Sequence, residues 1–268
     1  MSLFNALKSF YRHRDLIFQF TRREIEMRHK ASRLGHLWAL ITPLLMLCLY
    51  LFVFGVIFGG RFGVLPNENF YDFALALFLG ISLFQVIADT IGMAPSLIVN
   101  QPNFVKKVVF PLEIISISKV LASLYFASLS IAIAIALAPL SHGGLTYKAL
   151  ALPLILVPLA MIALGLSWTL ASIGVFVRDL DHTTAFIATA VMYSSAILYS
   201  LSRVPPTIAA ILSYNPLVSI IDQSRQVLLW NHPLNLKVLC YDYIVSYFIL
   251  LIGYRIFQKL RPFFAEVL

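Results

Sequence analysis

Few residues in this chain have the type and spacing needed for covalent chemistry. The six histidines (His13, His29, His36, His142, His182 and His232) are scattered, and no two share helical ligand spacing within one apolar run. There is no H-E-x-x-H, C-x-x-C or G-x-S-x-G, and no G-x-x-x-x-G-K-[ST] loop that would hold a nucleotide. Cys48 and Cys240 fall in or beside apolar runs and imply neither a disulfide framework nor a metal site. What remains is electrostatic chemistry. Arg28, Lys30 and Arg33 form a basic cluster, and Lys106 and Lys107 are adjacent. Asp89 and Lys119 are charges within apolar runs, and Asp222 and Arg225 lie three apart. Guanidinium and ammonium groups neutralise anions, arginine in a bidentate fashion. Their ordinary use beside an apolar run is anchoring to anionic lipid headgroups.

The elements carrying these charges belong in a membrane. Of 268 residues, 60% are hydrophobic and 12% charged, and the mean hydropathy is +0.87. A soluble domain of this size cannot hide so much apolar surface. The net charge of +8 would suggest nucleic acid in a soluble chain. Here the basic residues sit at the ends and in short loops, so membrane topology explains them and no nucleic acid partner is expected. Residues 1–33 carry eight Lys and Arg and no continuous apolar core, unlike a signal peptide. They read as an amphipathic interface helix with Leu3, Phe4, Leu7, Phe10, Tyr11, Leu16, Ile17 and Phe20 on one stripe. Packing of that stripe on the protein is the alternative to the headgroup layer.

The remainder, 34–268, is expected to be one all-α polytopic domain. Six transmembrane helices are predicted at about 35–60, 73–99, 114–140, 149–177, 183–202 and 238–256. The stretch at about 203–235 is broken by Pro205, Pro206, Asn215-Pro216 and Pro233. It is expected to enter and leave from the periplasmic side as a re-entrant helical hairpin hinged at Asn215-Pro216. Six crossings put both termini in the cytoplasm, with fifteen Lys and Arg inside and five outside, as the positive-inside rule requires. Asp89 and Lys119 then fall on the cytoplasmic side of adjacent spans, either paired or snorkelling separately. Asp222 and Arg225 are placed to bridge locally.

Four patches then fall in order along the chain. They are Ser-Arg-Leu-Gly-His-Leu-Trp at 32–38 after the Arg28 and Lys30 cluster, Asn-Phe-Val-Lys-Lys-Val-Val-Phe-Pro-Leu-Glu at 103–113, Val-Arg-Asp-Leu-Asp at 177–181, and Tyr-Asn-Pro-Leu at 214–217 with Arg225. Together they resemble the membrane subunit of ABC-2 type exporters for polysaccharides, which include O-antigen, capsule and teichoic acid permeases. The resemblance implies a homodimer in the bacterial inner membrane, worked by two copies of a separate nucleotide-binding ATPase. ATP and Mg would reside on that partner, with no cofactor, metal or catalytic residue on this chain. It implies that Phe104, Val105, Lys106, Lys107, Phe110, Pro111 and Glu113 form an ATPase-coupling segment. Arg28, Lys30 and Arg33 would meet the diphosphate of an undecaprenyl-diphosphate-linked polysaccharide. Asn215, Pro216, Asp222 and Arg225 would gate the periplasmic exit.

Sugar C–H faces stack on aromatic rings, so Trp38, Tyr50, Tyr125, Trp168, Phe186, Tyr193 and Tyr199 are candidate channel-lining aromatics, against the ordinary role of such rings in packing and interfacial belts. The resulting expectation is export of a lipid-linked polysaccharide, O-antigen before capsule or teichoic acid. A secondary or drug transporter would instead spend more ionisable groups at mid-membrane. A membrane-bound glycosyl- or acyltransferase would need an Asp or His cluster at one face.

Overall fold

In a computed structural model of the chain the described residues are 10–28, 30, 33–57, 59–60, 62–63, 68–106, 110–201 and 204–268. Among them the fold is all helical. The helices are α1 (Arg14–Met27), α2 (Trp38–Tyr50, continued by a widened π-helical stretch Leu51–Ile57), α3 (Phe70–Met93), α4 (Pro102–Lys106) and α5 (Glu113–Leu137). They continue with α6 (Leu152–Phe176), α7 (Leu180–Ser194), α8 (Pro206–Leu212), α9 (Pro216–Leu228), α10 (Leu236–Leu260) and α11 (Phe264–Val267). Lys107 and the stripe residues Leu3, Phe4 and Leu7 lie outside the described residues.

Five segments are long and apolar enough to cross a membrane: Gly35–Ile57, Phe70–Met93, Glu113–Leu140, Tyr147–Phe176 and Leu236–Val267. The chain is thus a multi-pass membrane protein. The span expected at 183–202 differs. Its helix starts earlier, at Leu180, and stops at Ser194. At about 1.5 Å per residue it reaches about 22 Å, short of the roughly 30 Å of hydrocarbon. Local chemistry accompanies the stop. The Ser194 and Ser195 hydroxyls both donate to the Val191 carbonyl, at 3.1 and 2.6 Å, and such bonds compete with helix continuation. Ala196 then takes a φ of 49°.

The core is built around α3, whose Ala74, Leu77, Leu79, Leu83 and Ile87 are fully buried. Its start is fixed by a capping box. The Asn69 side chain accepts from the Asp72 N–H, and Asp72 accepts from the Asn69 N–H, both at 2.8 Å. Asp72 also accepts the His142 N–H at 2.9 Å and lies 2.8 Å from His142 Nδ1, which ties α3 to the loop after α5. Helices α6 and α10 cross at two glycines. A Cβ at Gly253 would stand 2.8 Å from the Cα and carbonyl carbon of Gly165, and one at Gly165 would stand 2.5 Å from the Ile249 oxygen. Only glycine lets the two backbones approach this closely, the usual device where lipid removes the hydrophobic drive for helix association.

A second, smaller cluster gathers Leu97, Ile98, Phe110, Trp168, Tyr254, Phe257 and Phe264. Phe10, Leu16, Ile17 and Phe20 pack against it. The stripe of α1 therefore lies on the protein, the second of its two expected placements, while Tyr11 and Phe18 stay exposed. By contrast α2 hangs at the rim. Of its side chains only Ala39 and Leu47 are buried, and Leu44, Leu45, Leu49 and Phe52 are exposed.

Candidate functional site

Three sites gather the charged residues. The first is a cleft of about 300 Å³ between α2, α3 and α5, whose walls include Trp38, Met46, Tyr50 and Phe78 together with Arg28, Gln85, Asp89 and Ser123. The Asp89 carboxylate accepts from Arg28 Nη1 at 3.0 Å, Gln85 Nε2 at 2.6 Å and Ser123 Oγ at 3.1 Å. The Arg28 guanidinium also sits 4.4 Å over the Phe126 ring. Of the two readings of Asp89 and Lys119, the mutual pair does not form. Lys119 instead binds Glu24 of α1, and Asp89 takes Arg28, so each charge finds its partner on the N-terminal segment rather than across the spans. The cleft combines apolar walls with one cation, which Asp89 pairs. Arg28 thus meets Trp38 and Tyr50 in one cleft, while Lys30 and Arg33 are exposed and do not line it.

The second site surrounds α4. Phe20, Phe104 and Phe110 form an aromatic triad with centroids 4.7–5.7 Å apart. Phe110 and Glu113 are buried, and Val105 and Pro111 are half-buried. Lys106 is exposed. Buried Glu113 accepts from Arg261 Nη1 at 2.7 Å and Gln258 Nε2 at 2.5 Å, and Arg261 also donates to the Phe110 carbonyl at 3.3 Å. The segment therefore grips α1, α5 and the end of α10 together, so displacing it displaces all three.

The third site is built on α9. Asn215 caps this helix, accepting the Leu217 N–H at 3.0 Å, and Pro216 takes the first helical position. The Asn215 amide donates to the Ser194 carbonyl at 3.1 Å, so the break between α8 and α9 is fastened to the end of α7. Arg225 is buried at 3% exposure and does not bridge to Asp222. Its Nε donates to Ala76 O at 2.9 Å, Nη2 to Ile197 O at 2.7 Å and Nη1 to Ala196 O at 3.4 Å. Its guanidinium lies 4.6 Å over the Phe62 ring. Gly80 makes the room, since a Cβ there would collide with the guanidinium. Asp222 accepts instead from Gln226 at 2.7 Å. On its other face α9 holds Asp242 of α10, through Gln223 Nε2 at 2.9 Å and Ser219.

Of the candidate aromatics Trp38 and Tyr50 share the first cleft, and the others do not join them. Trp168 is sealed inside the subunit, stacked on Phe10 and edge-on to Tyr254, with its indole N–H 3.4 Å from the Glu113 carbonyl. This burial makes it a core residue rather than a channel-lining one. Tyr125 is exposed on α5, Phe186 and Tyr193 are exposed on α7, and Tyr199 donates to the Tyr193 carbonyl at 2.6 Å. Sequence reasoning missed the Gln85, Ser123 and Gly80 contributions. The i, i+4 spacing of Gln85 and Asp89 and the glycine in the middle of the α3 run were the available signals. Among the described residues no three His, Cys, Asp or Glu side chains gather as a metal site.

Comparison with known proteins adds the following. Residues 15–229 match the ABC-2 type transporter family. The chain is 27% identical over 256 residues to the O-antigen export system permease protein RfbA of Klebsiella pneumoniae, covering 95% of each chain. It is 26% identical to the RfbA of Myxococcus xanthus over 267 residues, covering 98% of this chain and 99% of that one. It is 24% identical to the polysialic acid transport protein KpsM of Escherichia coli over 237 residues, covering 87% and 90%.

Proposed function

Because the chain belongs to the ABC-2 type transporter family, we propose that it is one of two identical membrane halves of an exporter for lipid-linked polysaccharide, O-antigen in the first instance. Two copies of a separate ATPase in the cytoplasm drive it across the bacterial inner membrane. The observation that carries this reading is the end-to-end match to permeases named for O-antigen export. The match to KpsM supports a capsular polymer as the second reading.

Topology follows the same logic. Phe10 and Leu268 pack on one cluster, so both ends belong at one face, the cytoplasmic one. Five long spans alone would part them, and the 177–235 segment supplies the sixth passage, α7 being extended by the turn that follows it, with α8 and α9 folding back from the periplasmic side. A second copy provides the remaining walls of a lumen wide enough for a glycan.

In this cycle the diphosphate of the carrier lipid, undecaprenyl diphosphate, reaches the cleft at Arg28, with Lys30 and Arg33 exposed just after it in the chain. Asp89 neutralises Arg28 until the anion takes its place. Lys106 is the exposed handle of the coupling segment, and the ATPase presses on the short helix that carries it. The phenylalanine triad and the Glu113–Arg261 pair pass the movement to α1, α5 and α10 as a rigid unit. External drive is needed because carrying a charged headgroup through hydrocarbon costs several kcal/mol or more. The test is deletion of the gene, then complementation with and without the adjacent P-loop ATPase, with surface polysaccharide read on gels. Loss of surface polymer restored only by the pair supports the reading. Unchanged polymer in the deletion strain, or rescue by this chain without any ATPase, refutes it.

A further inference from the structure

Helix α1 joins the cleft and the coupling segment along a single stripe. Phe20, Glu24 and Arg28 stand at successive i, i+4 positions, Arg28 keeping helical backbone angles just past the last residue of the helix, so all three face one side. Phe20 packs on Phe104 and Phe110 with centroids 5.7 and 5.3 Å away. Arg28 pairs with Asp89 of α3 at 3.0 Å in the cleft wall. Between them Glu24, its side chain only 10% exposed, pairs with Lys119 of α5. The two ion pairs differ in what can reach them. Arg28 and Asp89 both line the cleft, where an incoming anion can take the carboxylate's place, whereas neither Glu24 nor Lys119 lines it. At about 1.5 Å per residue, Phe20 and Arg28 each stand about 6 Å from Glu24 along the axis. A rigid helix held at its middle turns a movement of one end into an opposite movement of similar size at the other. Before Phe20, α1 meets the spans through apolar packing and one long bond, from Ser118 Oγ to the Ile17 carbonyl at 3.4 Å, and apolar contact is non-directional enough to permit a tilt. A shift of about 0.5–1 Å at Phe20 suffices, because a gap of that size forfeits roughly a quarter to a half of a packing contact.

We propose that α1 is a rocker that reports occupancy of the Arg28 cleft to the coupling segment, with the Glu24–Lys119 pair as its fulcrum. Lys119 is then a positioning residue for lipid-dependent ATP hydrolysis. A ligand shifts such a balance only through unequal affinity for its two positions, and here an anion takes Arg28 only once Asp89 has released it. The released end moves, Phe20 moves against the phenylalanine triad, and the coupling segment follows. The proposal rests on the exporter reading above and deepens it by naming how the loaded state reaches the ATPase.

The experiment uses the permease–ATPase complex in nanodiscs with undecaprenyl diphosphate as the probe, reading lipid binding and phosphate release separately. The lipid is expected to raise hydrolysis about three-fold in the parental complex. The double variant Glu24→Gln, Lys119→Met, which leaves no buried charge unpaired, should bind the lipid within two-fold of the parent, keep basal hydrolysis and lose most of the stimulation. The reversed pair Glu24→Lys, Lys119→Glu should restore it. Asp89→Asn, which frees Arg28 without lipid, should raise basal hydrolysis about two-fold, and this measurement decides the matter should the double variant misfold. Full stimulation in the well-folded double variant, loss of lipid binding in step with stimulation, a folded reversed pair that stays unresponsive, or no stimulation of the parental complex each overturns the rocker. Failure of the exporter reading itself is seen separately, as unchanged surface polymer in the deletion strain.

Discussion

Replacing Gly253 by alanine tests the closest helix crossing in the subunit. The new Cβ would lie 2.8 Å from two backbone carbons of Gly165. Carbon atoms pack best at about 3.5–4.0 Å, so the axes of α6 and α10 must part by about 0.7 Å or more, and a gap of that size forfeits roughly a quarter to a half of each contact along the seam. Overpacking of this kind costs about 1–3 kcal/mol, and backbone atoms on both sides leave no side chain to yield, which places the loss near the upper end. Alanine returns about 0.5–1 kcal/mol of helix propensity, so the net loss is about 2 kcal/mol. At roughly 2–4 °C per kcal/mol, melting in detergent should fall by about 4–8 °C. Gly92 is the internal control, because a Cβ there meets nothing within 4 Å. Gly92→Ala should hold or raise the melting temperature by about 1–3 °C for its gain in propensity. Equal melting of the two variants would refute the claim that the crossing depends on the absence of a side chain.

Other expectations follow from the charged sites. Arg225→Lys keeps the charge but cannot reproduce a planar fork to three carbonyls. Losing one or two bonds to a charged donor, at about 1.5–3 kcal/mol each, should halve or worse the folded yield after membrane extraction. Parental yield would show that the clamp is dispensable. Glu113→Gln should leave insertion intact yet lower ATPase stimulation by the permease several-fold, measured on the purified complex, because Arg261 loses its ionic partner. Undiminished stimulation would remove Glu113 from the coupling path. The double variant Arg28→Ala, Arg33→Ala should reduce export with normal membrane levels, and Asp89→Asn should tighten binding of undecaprenyl diphosphate by freeing Arg28. If neither variant changes binding of that lipid, the cleft is not its headgroup site.

The apolar runs and the proline punctuation were legible because length and hydropathy set them without help from neighbours. The Asn215-Pro216 break is an example: a cap and a proline at the first helical position define it locally. Partner choice among charges was not legible. Lys119 bonds Glu24, 95 positions away in sequence, and Arg28 reaches Asp89, since the amphipathic α1 folds back onto α5 and the sequence pattern fixes only which face of a helix is apolar. Trp168 reads as any span aromatic does until Phe10 is seen stacked upon it. The length of α7 escaped for another reason, as apolar content continues past Ser194 while the hydroxyl bonds to Val191 mark the end of the helix.

The carbonyl clamp on Arg225 has a consequence for how the molecule comes together. Hydrocarbon offers a guanidinium nothing to replace water, and a buried cation whose acceptors are missing is heavily penalised. The acceptors here belong to α3 and to the turn behind α7, both made earlier in the chain. The 216–228 helix can therefore seat with its cation satisfied only once those pieces stand in position.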